Sequence, residues 1–223
     1  MASSFLARLD ADASRAFHAL GIPRHHRRGA TVLFEGDSRD TVLFVVEGRV
    51  KVVSTSVDGR ELVLGLRGPG ELLGELTAVA QDGHARSGTV IALDEVDVRV
   101  LTGDEFRAFL LKHPTSAIGL LAMLIERLRE ADRQRVEFGS LDVPHRVARL
   151  LVDLARSGTA DGDGGTQVGV QLTQEELATM VSASRESLAR ALGVIRKQGL
   201  IRTGRRSIVV LDVDRLRTFA GSS

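Results

Sequence analysis

Between Ala30 and Val100 the apolar residues fall into short Val/Leu-rich runs: "TVLF", "TVLFVVEGRVKVVSTS", "RELVLGLRG" and "GTVIALDEVDVRVL". Each run alternates in part between apolar and polar positions, which predicts strands. Glycines punctuate them at Gly36, Gly48, Gly59, Gly70 and Gly83. Asp58-Gly59 lies between two apolar runs and predicts a tight hairpin. Many short strands with regular turns predict a barrel or jelly roll. Upstream, Asp10 to Leu20 predicts a short helix.

From Pro114 to Phe138 the period changes. Ile118, Leu121, Ile125 and Leu128 recur at steps of three and four, an apolar seam on a helix of about 25 residues. Such a seam can pack on its own barrel. The length exceeds what a small barrel covers, so the seam predicts a two-stranded coiled coil between copies of the chain. It turns polar at Ala131, Asp132 and Arg135.

"GSLDVPH" interrupts the pattern. Gly139 is read as the end of the long helix. Asp142 can cap the next one, with Pro144 tolerated in its first turn. Val147, Leu150, Leu151 and Leu154 give that helix one apolar face. A domain boundary is placed here, and "RSGTADGDGGTQ" reads as a flexible surface loop in the second domain. "TQEE" at Thr173–Glu176 has the spacing of a capping box. Its helix carries Leu177, Met180 and Val181 inward. "SAS" makes a tight turn, and Ser184 caps a second helix ending at Gly199. Two short helices so joined match a helix-turn-helix.

Composition narrows the classes. The chain has 223 residues, 43% apolar and 26% charged, enough for one large domain or two modest ones. No run of eighteen apolar residues spans a membrane, and "MASSFLARLD" lacks the layout of a secretory signal. Cysteine is absent, which removes disulfides, thiolate iron–sulfur ligation and cysteine nucleophiles and fits a cytoplasmic location. Tyr and Trp are absent too, so stacking on bases is not an expected binding strategy. The net charge of +1 is unevenly spread. Thr173 to Ser223 holds nine Lys/Arg and five Asp/Glu, a balance of +4, against 21 and 24 over the rest, a balance of −3. A basic end on a slightly acidic body predicts an anionic partner for that end.

The second helix of the pair shows how. Leu188, Ala191, Leu192 and Ile195 fall in one arc, while Arg185, Glu186, Ala189, Arg190, Gly193, Arg196 and Lys197 fill the other. A charged arc is ordinarily a solvated face. Here arginines can fork onto guanine, Glu186 can accept from cytosine N4, and Ala189 and Gly193 leave room in a major groove. "LIRTGRRSIVVL" then reads as a hairpin with arginines, Arg205 among them, placed for phosphate.

In this order the parts resemble the bacterial cyclic-AMP receptor protein family, the Crp/Fnr regulators, from about Arg15 to Leu211. Two motifs carry the resemblance. "GELLGEL" followed by "ARSGTVIA" is similar to the family's phosphate-binding cassette, and "TQEELATMVSASRESLARAL" to its helix-turn-helix. The resemblance implies an α+β chain: an N-terminal β jelly-roll cyclic-nucleotide-binding domain (1–113), a long dimerisation helix (114–138) and a C-terminal winged helix-turn-helix (139–223).

It further implies an effector site at Gly74, Glu75, Leu76, Arg86, Ser87, Arg127 and Asp132. Arg86 can fork onto a cyclic phosphate with Ser87 as a hydroxyl donor. Glu75 can accept from a ribose 2′-OH, and Gly74 permits close backbone approach before a short helix. Alternatively, Glu75 and Arg86 form a structural ion pair inside the barrel. DNA contacts are implied at Thr173, Ser184, Arg185, Glu186, Ser187, Arg190 and Arg205, with palindromic TGTGA-like half-sites. The family's cyclic-AMP binders place a threonine beside a serine or asparagine on the long helix; Ala131 and Asp132 stand there. Asp132 can accept from an amino group of adenine or guanine. Cyclic AMP is the expected effector, with cyclic GMP or ligand-independent DNA binding as alternatives.

No metal, haem or iron–sulfur cluster is expected. His84 and His113 are single loop histidines, and His25 and His26 beside Arg24, Arg27 and Arg28 read as a basic surface stretch. No placed nucleophile or paired carboxylates point to an enzyme. A cyclic-nucleotide module regulating a partner protein is a further class. The expected partners are a second copy, duplex DNA and, by family analogy through the Gly/Asp-rich loop near Thr159, RNA polymerase.

Overall fold

The apolar runs of the N-terminal half build two antiparallel four-stranded sheets. The computed structural model describes residues 4–55, 59, 61–80, 85–156, 158–162, 164–169, 172–204 and 207–221, with the backbone alone at 138. Two units separate inside one continuous helix, Ala2–Glu130 and Ala131–Ser223.

In the first unit Asp10 caps α1 (Ala11–His18) by accepting from the Ala13 N–H at 2.8 Å. Strands β1 (Ile22–His26), β2 (Thr31–Leu33), β3 (Thr41–Glu47), β4 (Val50–Thr55), β5 (Glu61–Arg67) and β6 (Leu72–Leu73) precede the short helix α2 (Glu75–Ala80). Then come β7 (Thr89–Ala92), β8 (Val96–Thr102) and α3 (Gly103–Lys112). The sheets run β1-β8-β3-β6 and β2-β7-β4-β5, the jelly-roll arrangement expected. β4 and β5 pair antiparallel out to Thr55–Glu61; Asp58, on which the hairpin signal rested, lies outside the described residues.

β3 explains why its sequence is an apolar run rather than an alternation. Val42 and Phe44 enter a helix-side core with Phe5, Phe17, Leu72, Leu101, Phe106, Leu120 and Met123. Leu43 and Val45 enter the barrel core with Leu33, Val50, Leu73, Val90, Val96 and Val98. A strand buried on both faces reads as continuous hydrophobicity. In the helix-side core the Phe17 ring lies 4.8 Å from that of Phe109 and 5.0 Å from that of Phe44.

β1 and α3 add to the sequence reading. β1 places His25 opposite Asp97. The stretch read as basic surface is a strand whose His25 contacts Asp97 through Nδ1 at 2.8 Å and Glu95 through Nε2 at 2.7 Å. α3 opens on a capping box formed by Thr102 and Glu105, a signal legible in "TGDE". His113 caps the far end of α3, its ring centroid 4.9 Å from that of Phe109. His84 lies outside the described residues.

The long helix α4 spans Pro114–Ser140. It passes through Gly139, so the glycine does not end it; the chain turns one residue later, before the Asp142 cap. Leu120 and Met123 face the helix-side core, whereas Ile118, Leu121 and Leu128 are 68%, 58% and 60% exposed and Ile125 is 39% exposed. The seam read from the sequence is therefore the face turned away from the core of its own unit.

The second unit continues with α5 (Val143–Ala155), whose Asp142 cap accepts from the His145 N–H. Val147, Leu151 and Leu154 are buried. The segment read as a flexible loop carries two short strands, β9 (Thr159–Ala160) and β10 (Thr166–Gln167), which pair antiparallel. Two-residue strands are too short to show a period. α6 (Gln174–Met180), α7 (Arg185–Lys197), β11 (Ile201–Gly204), β12 (Ser207–Val210) and α8 (Val213–Phe219) follow. The sheet runs β11-β12-β10-β9, a small wing beside two helices. Asp212 caps α8, an element with no counterpart in the sequence reading. Among the described residues no single helix is long and apolar enough to cross a membrane.

Candidate functional sites

The first site lies in the barrel. Arg86 is 5% exposed. Its Nη2 donates to the carbonyls of Arg39 at 3.0 Å and Thr41 at 2.9 Å, and to the Thr41 hydroxyl at 2.7 Å. Its Nε and Nη1 are buried with no partner. Burial pushes the guanidinium's pKa down. A buried cation with unsatisfied donors is costly unless an anion meets it. Gly74 sits at φ +77°, and a Cβ there would fall 2.1 Å from Arg86 Nη1 and 2.7 Å from the Thr41 carbonyl. The left-handed backbone and the lack of room both require glycine.

Glu75 opens α2 and is 4% exposed. Its Oε1 accepts from Arg127 Nη1 at 2.6 Å. The alternative Glu75–Arg86 ion pair is not formed: Glu75 pairs with Arg127 instead. Arg127 also donates to the Leu72 carbonyl at 3.1 Å, and its Nη2 lies 3.8 Å from Glu71 Oε1. Arg67 lies the same distance from that oxygen. Burial, then repulsion from Arg127, lowers the Arg67 pKa. Thr41, Arg67 and Glu71 join the site without having been picked out from the sequence. They sit on separate strands and turns, and only the folded barrel brings them together.

Ser87 is exposed beside Arg86, and Leu76 is 53% exposed at the start of α2. Gly74, Glu75, Leu76, Arg86, Ser87 and Arg127 all belong to the first unit. Asp132 belongs to the second, on the exposed surface of α4 with its carboxylate 3.3 Å from Arg135. Among the described residues no group of three or more His, Cys, Asp or Glu could hold a metal ion.

The second site is the α6–α7 pair. The Thr173 hydroxyl accepts from the Glu176 N–H at 3.1 Å, and the Glu176 carboxylate accepts from the Thr173 N–H at 2.7 Å. Ser182, in the turn, is the one described non-glycine residue with positive φ, at 47°. Ser184 caps α7 by accepting from the Ser187 N–H at 3.2 Å. Leu188, Ala191, Leu192 and Ile195 are buried, leaving Arg185, Glu186, Ala189, Arg190, Arg196 and Lys197 exposed. Arg190 Nη2 donates to the Ser187 hydroxyl at 3.0 Å, which steadies the guanidinium on the outer face. Glu186 is held below the usual carboxylate range, first by its own backbone N–H and then by Ser184, so it is an acceptor at neutral pH.

Between α7 and the wing lies a groove of about 480 Å³, lined by Thr173, Arg185, Ala189, Gly193, Arg196 and Ser207, among others. A Cβ at Gly193 would meet nothing within 4 Å. Arg205 lies outside the described residues.

Comparison with known proteins assigns a domain family to each part of the chain. Residues 23–113 match the cyclic nucleotide-binding domain family, and residues 145–219 match the Crp-like helix-turn-helix domain family. The chain is 36% identical over 190 residues to the CRP-like cAMP-activated global transcriptional regulator of Mycobacterium tuberculosis, covering 85% of this chain and 84% of that one. It is 29% identical over 197 residues to the cyclic AMP receptor protein of Thermus thermophilus, covering 88% and 87%. Among solved structures, the c-di-GMP responsive global regulator CLP of Xanthomonas campestris overlays with a TM-score of 0.79 at 25% identity, over 91% of this chain and all of that one. A CRP-family transcriptional regulator from Thermus thermophilus overlays at 0.74 with 27% identity, over 90% and 97%.

Proposed function

This chain belongs to the Crp/Fnr family of transcription regulators, and from that premise we propose that it is a homodimeric, sequence-specific DNA-binding regulator controlled by a cyclic nucleotide, cyclic AMP first. It has the family's cyclic-nucleotide-binding domain and helix-turn-helix, and the family's members are regulators rather than enzymes. The single observation that carries the effector reading is Arg86, buried with Nε and Nη1 unsatisfied beside a glycine cradle.

The residues present fit a cyclic nucleotide. Arg86 supplies two free donors for a singly charged phosphate, and Ser87 adds a hydroxyl. Glu75, held in place by Arg127, accepts from a ribose hydroxyl. When bound, the nucleotide supplies the anion that offsets the desolvated guanidinium. It can shift the chain toward a DNA-competent arrangement only by its preference for that state. Asp132 can accept from an amino group of either adenine or guanine.

The exposed seam Ile118, Leu121, Ile125 and Leu128 supports the dimer: four large aliphatic residues at coiled-coil spacing are not left in water without a partner. In a dimer of this kind the two α7 helices read half-sites about one DNA turn, ~34 Å, apart. Arg185, Glu186 and Arg190 face outward for base edges. Thr173, Ser184, Ser187 and Arg205 serve the phosphates. The cAMP-activated and cyclic-AMP-receptor relatives support cyclic AMP and a transcriptional role; contact with RNA polymerase is an extension of that role. The same reading puts the chain in the cytoplasm, with 1–113, 114–138 and 139–223 as its effector, dimerisation and DNA-binding parts.

The test is fluorescence anisotropy on a palindromic probe with TGTGA-like half-sites and on a scrambled probe. Each is measured without nucleotide and with cyclic AMP, cyclic GMP or cyclic di-GMP; the last is included because CLP responds to it. Cyclic AMP should tighten binding to the palindrome alone. Arg185→Ala should lose about 1–3 kcal/mol per half-site and relax sequence preference. Equal binding of both probes by parent and variant, under every condition, would overturn the reading.

A further inference from the structure

The cation of the barrel site and the helix that carries Glu75 are tied to one tripeptide, Arg39-Asp40-Thr41. The outer two residues hold Arg86: the carbonyls of Arg39 and Thr41 and the Thr41 hydroxyl all accept from its Nη2. The Thr41 carbonyl also occupies the space beside Gly74 that a Cβ would need, 2.7 Å from where it would fall. The middle residue faces the other way. Asp40 Oδ2 lies 2.9 Å from Nη2 of Arg107 on α3. Arg107 Nη1 in turn donates to the carbonyl of Ala78 in α2 at 2.6 Å. A third acceptor, Asp104 Oδ1 at 2.6 Å, fixes the guanidinium from its own helix.

This clamp has a steric condition. The Gly103 N–H donates to the Asp40 carbonyl at 2.9 Å, and a Cβ on Gly103 would fall about on the Asp40 carboxylate, 1.9 Å from Oδ1. The first residue of α3 must therefore be glycine if Asp40 is to reach Arg107. A six-residue helix such as α2 leaves its last carbonyls without partners of its own, and a guanidinium at that end supplies donors and favourable charge.

We infer that Arg107 is a positioning residue of the effector site: through Ala78 and Asp40 it fixes the spacing between α2, which presents Glu75, and the segment that holds Arg86. It acts through Ala78 and Asp40 rather than on Arg86. It works because the two ends of one clamp carry the hydroxyl acceptor and the phosphate cation. The planar fork matters, since one ammonium cannot hold a carbonyl and a carboxylate on two elements with the same fixed geometry. The role rests on the effector reading above and deepens it.

The experiment is calorimetry of the full chain with 3′,5′-cyclic AMP and 3′,5′-cyclic GMP, well below the unfolding temperature. The variants are Arg107→Met, Arg107→Lys and Asp40→Ala, with Arg99→Met as the control. Arg99 is an equally engaged arginine, donating to the carbonyls of Leu20 at 2.6 Å and Gly21 at 2.9 Å, but it lies outside this clamp. Arg107→Met should weaken binding about tenfold and speed amide exchange in Glu75–Ala80. Asp40→Ala should weaken binding in the same direction, and Arg107→Lys should restore thermal stability more fully than affinity. Arg99→Met should lower stability with affinity unchanged. If Arg107→Met does not fold, Arg107→Lys and Asp40→Ala, an exposed substitution, carry the test. A parent that binds while the Arg107 and Asp40 variants bind within twofold of it overturns the positioning role alone. A parent that binds neither nucleotide overturns the effector reading, and the role with it.

Discussion

Arg127 and Glu75 face each other at 2.6 Å in the barrel site, with side chains 19% and 5% exposed. The pair joins the long helix to the first residue of α2, 52 positions apart in sequence. Removing one partner leaves the other charge largely desolvated without its closest counter-charge, which costs more than the pair contributes. Glu75→Ala and Arg127→Met should each destabilise the first unit by about 3 kcal/mol, and the double variant by clearly less than the sum. Urea unfolding of the four proteins checks this.

Ser182 holds a left-handed conformation in the turn between α6 and α7. That region costs an L-residue roughly 1–2 kcal/mol, and glycine avoids the cost at some loss of entropy. Ser182→Gly should therefore stabilise the second unit by about 0.5–1 kcal/mol. A raised Tm with unchanged DNA affinity is the expected result.

Gly193 works in the opposite sense. Inside α7 it sacrifices about 1 kcal/mol of helix propensity relative to alanine, and nothing within 4 Å of its missing Cβ requires it. Gly193→Ala should raise thermal stability and weaken binding to the palindromic probe. A variant both more stable and equally tight would show that the groove's depth is unused.

His25 presents one ring nitrogen to Asp97 and the other to Glu95. Both can be donors only in the protonated ring, and these carboxylates, Asp97 first, raise its pKa above the usual 6.5. Because the folded value is the higher one, the contribution to stability is fully present below about pH 6.5 and is lost as pH rises through the raised value. His25→Gln should lower Tm at pH 6 and leave it unchanged at pH 9.

The exposed seam gives the fifth expectation. Leu121→Asp with Ile125→Asp places charge on the outward face of α4 without entering the core that holds Leu120 and Met123. Sedimentation should show a folded monomer where the parent is a dimer.

What the sequence made legible follows from how local each signal is. The Thr173 capping box, the Asp142 cap, the Ser184 cap and the buried arc Leu188–Ile195 are set within one or two turns of chain, and each stands where its spacing placed it. β1 was missed because "IPRHH" has a proline and charged neighbours and gains its order only from β8. β9 and β10 are too short to carry a period. In the barrel site, Arg86, Glu75 and Gly74 stood out as residue types in a motif, and Arg127 was expected there only through the family resemblance. Asp40 and Thr41, adjacent at the start of β3, and Arg107 on α3 did not stand out, because no spacing along the chain announces that they meet this site.

The two-faced burial of β3 has a thermodynamic consequence. Since Val42 and Phe44 serve one core and Leu43 and Val45 the other, the strand is a party wall, and neither room can lose it and stand. The helical layer and the barrel are thereby bound into a single cooperative block. Heating the N-terminal unit should produce one calorimetric transition, with no state in which the helices have melted from an intact barrel.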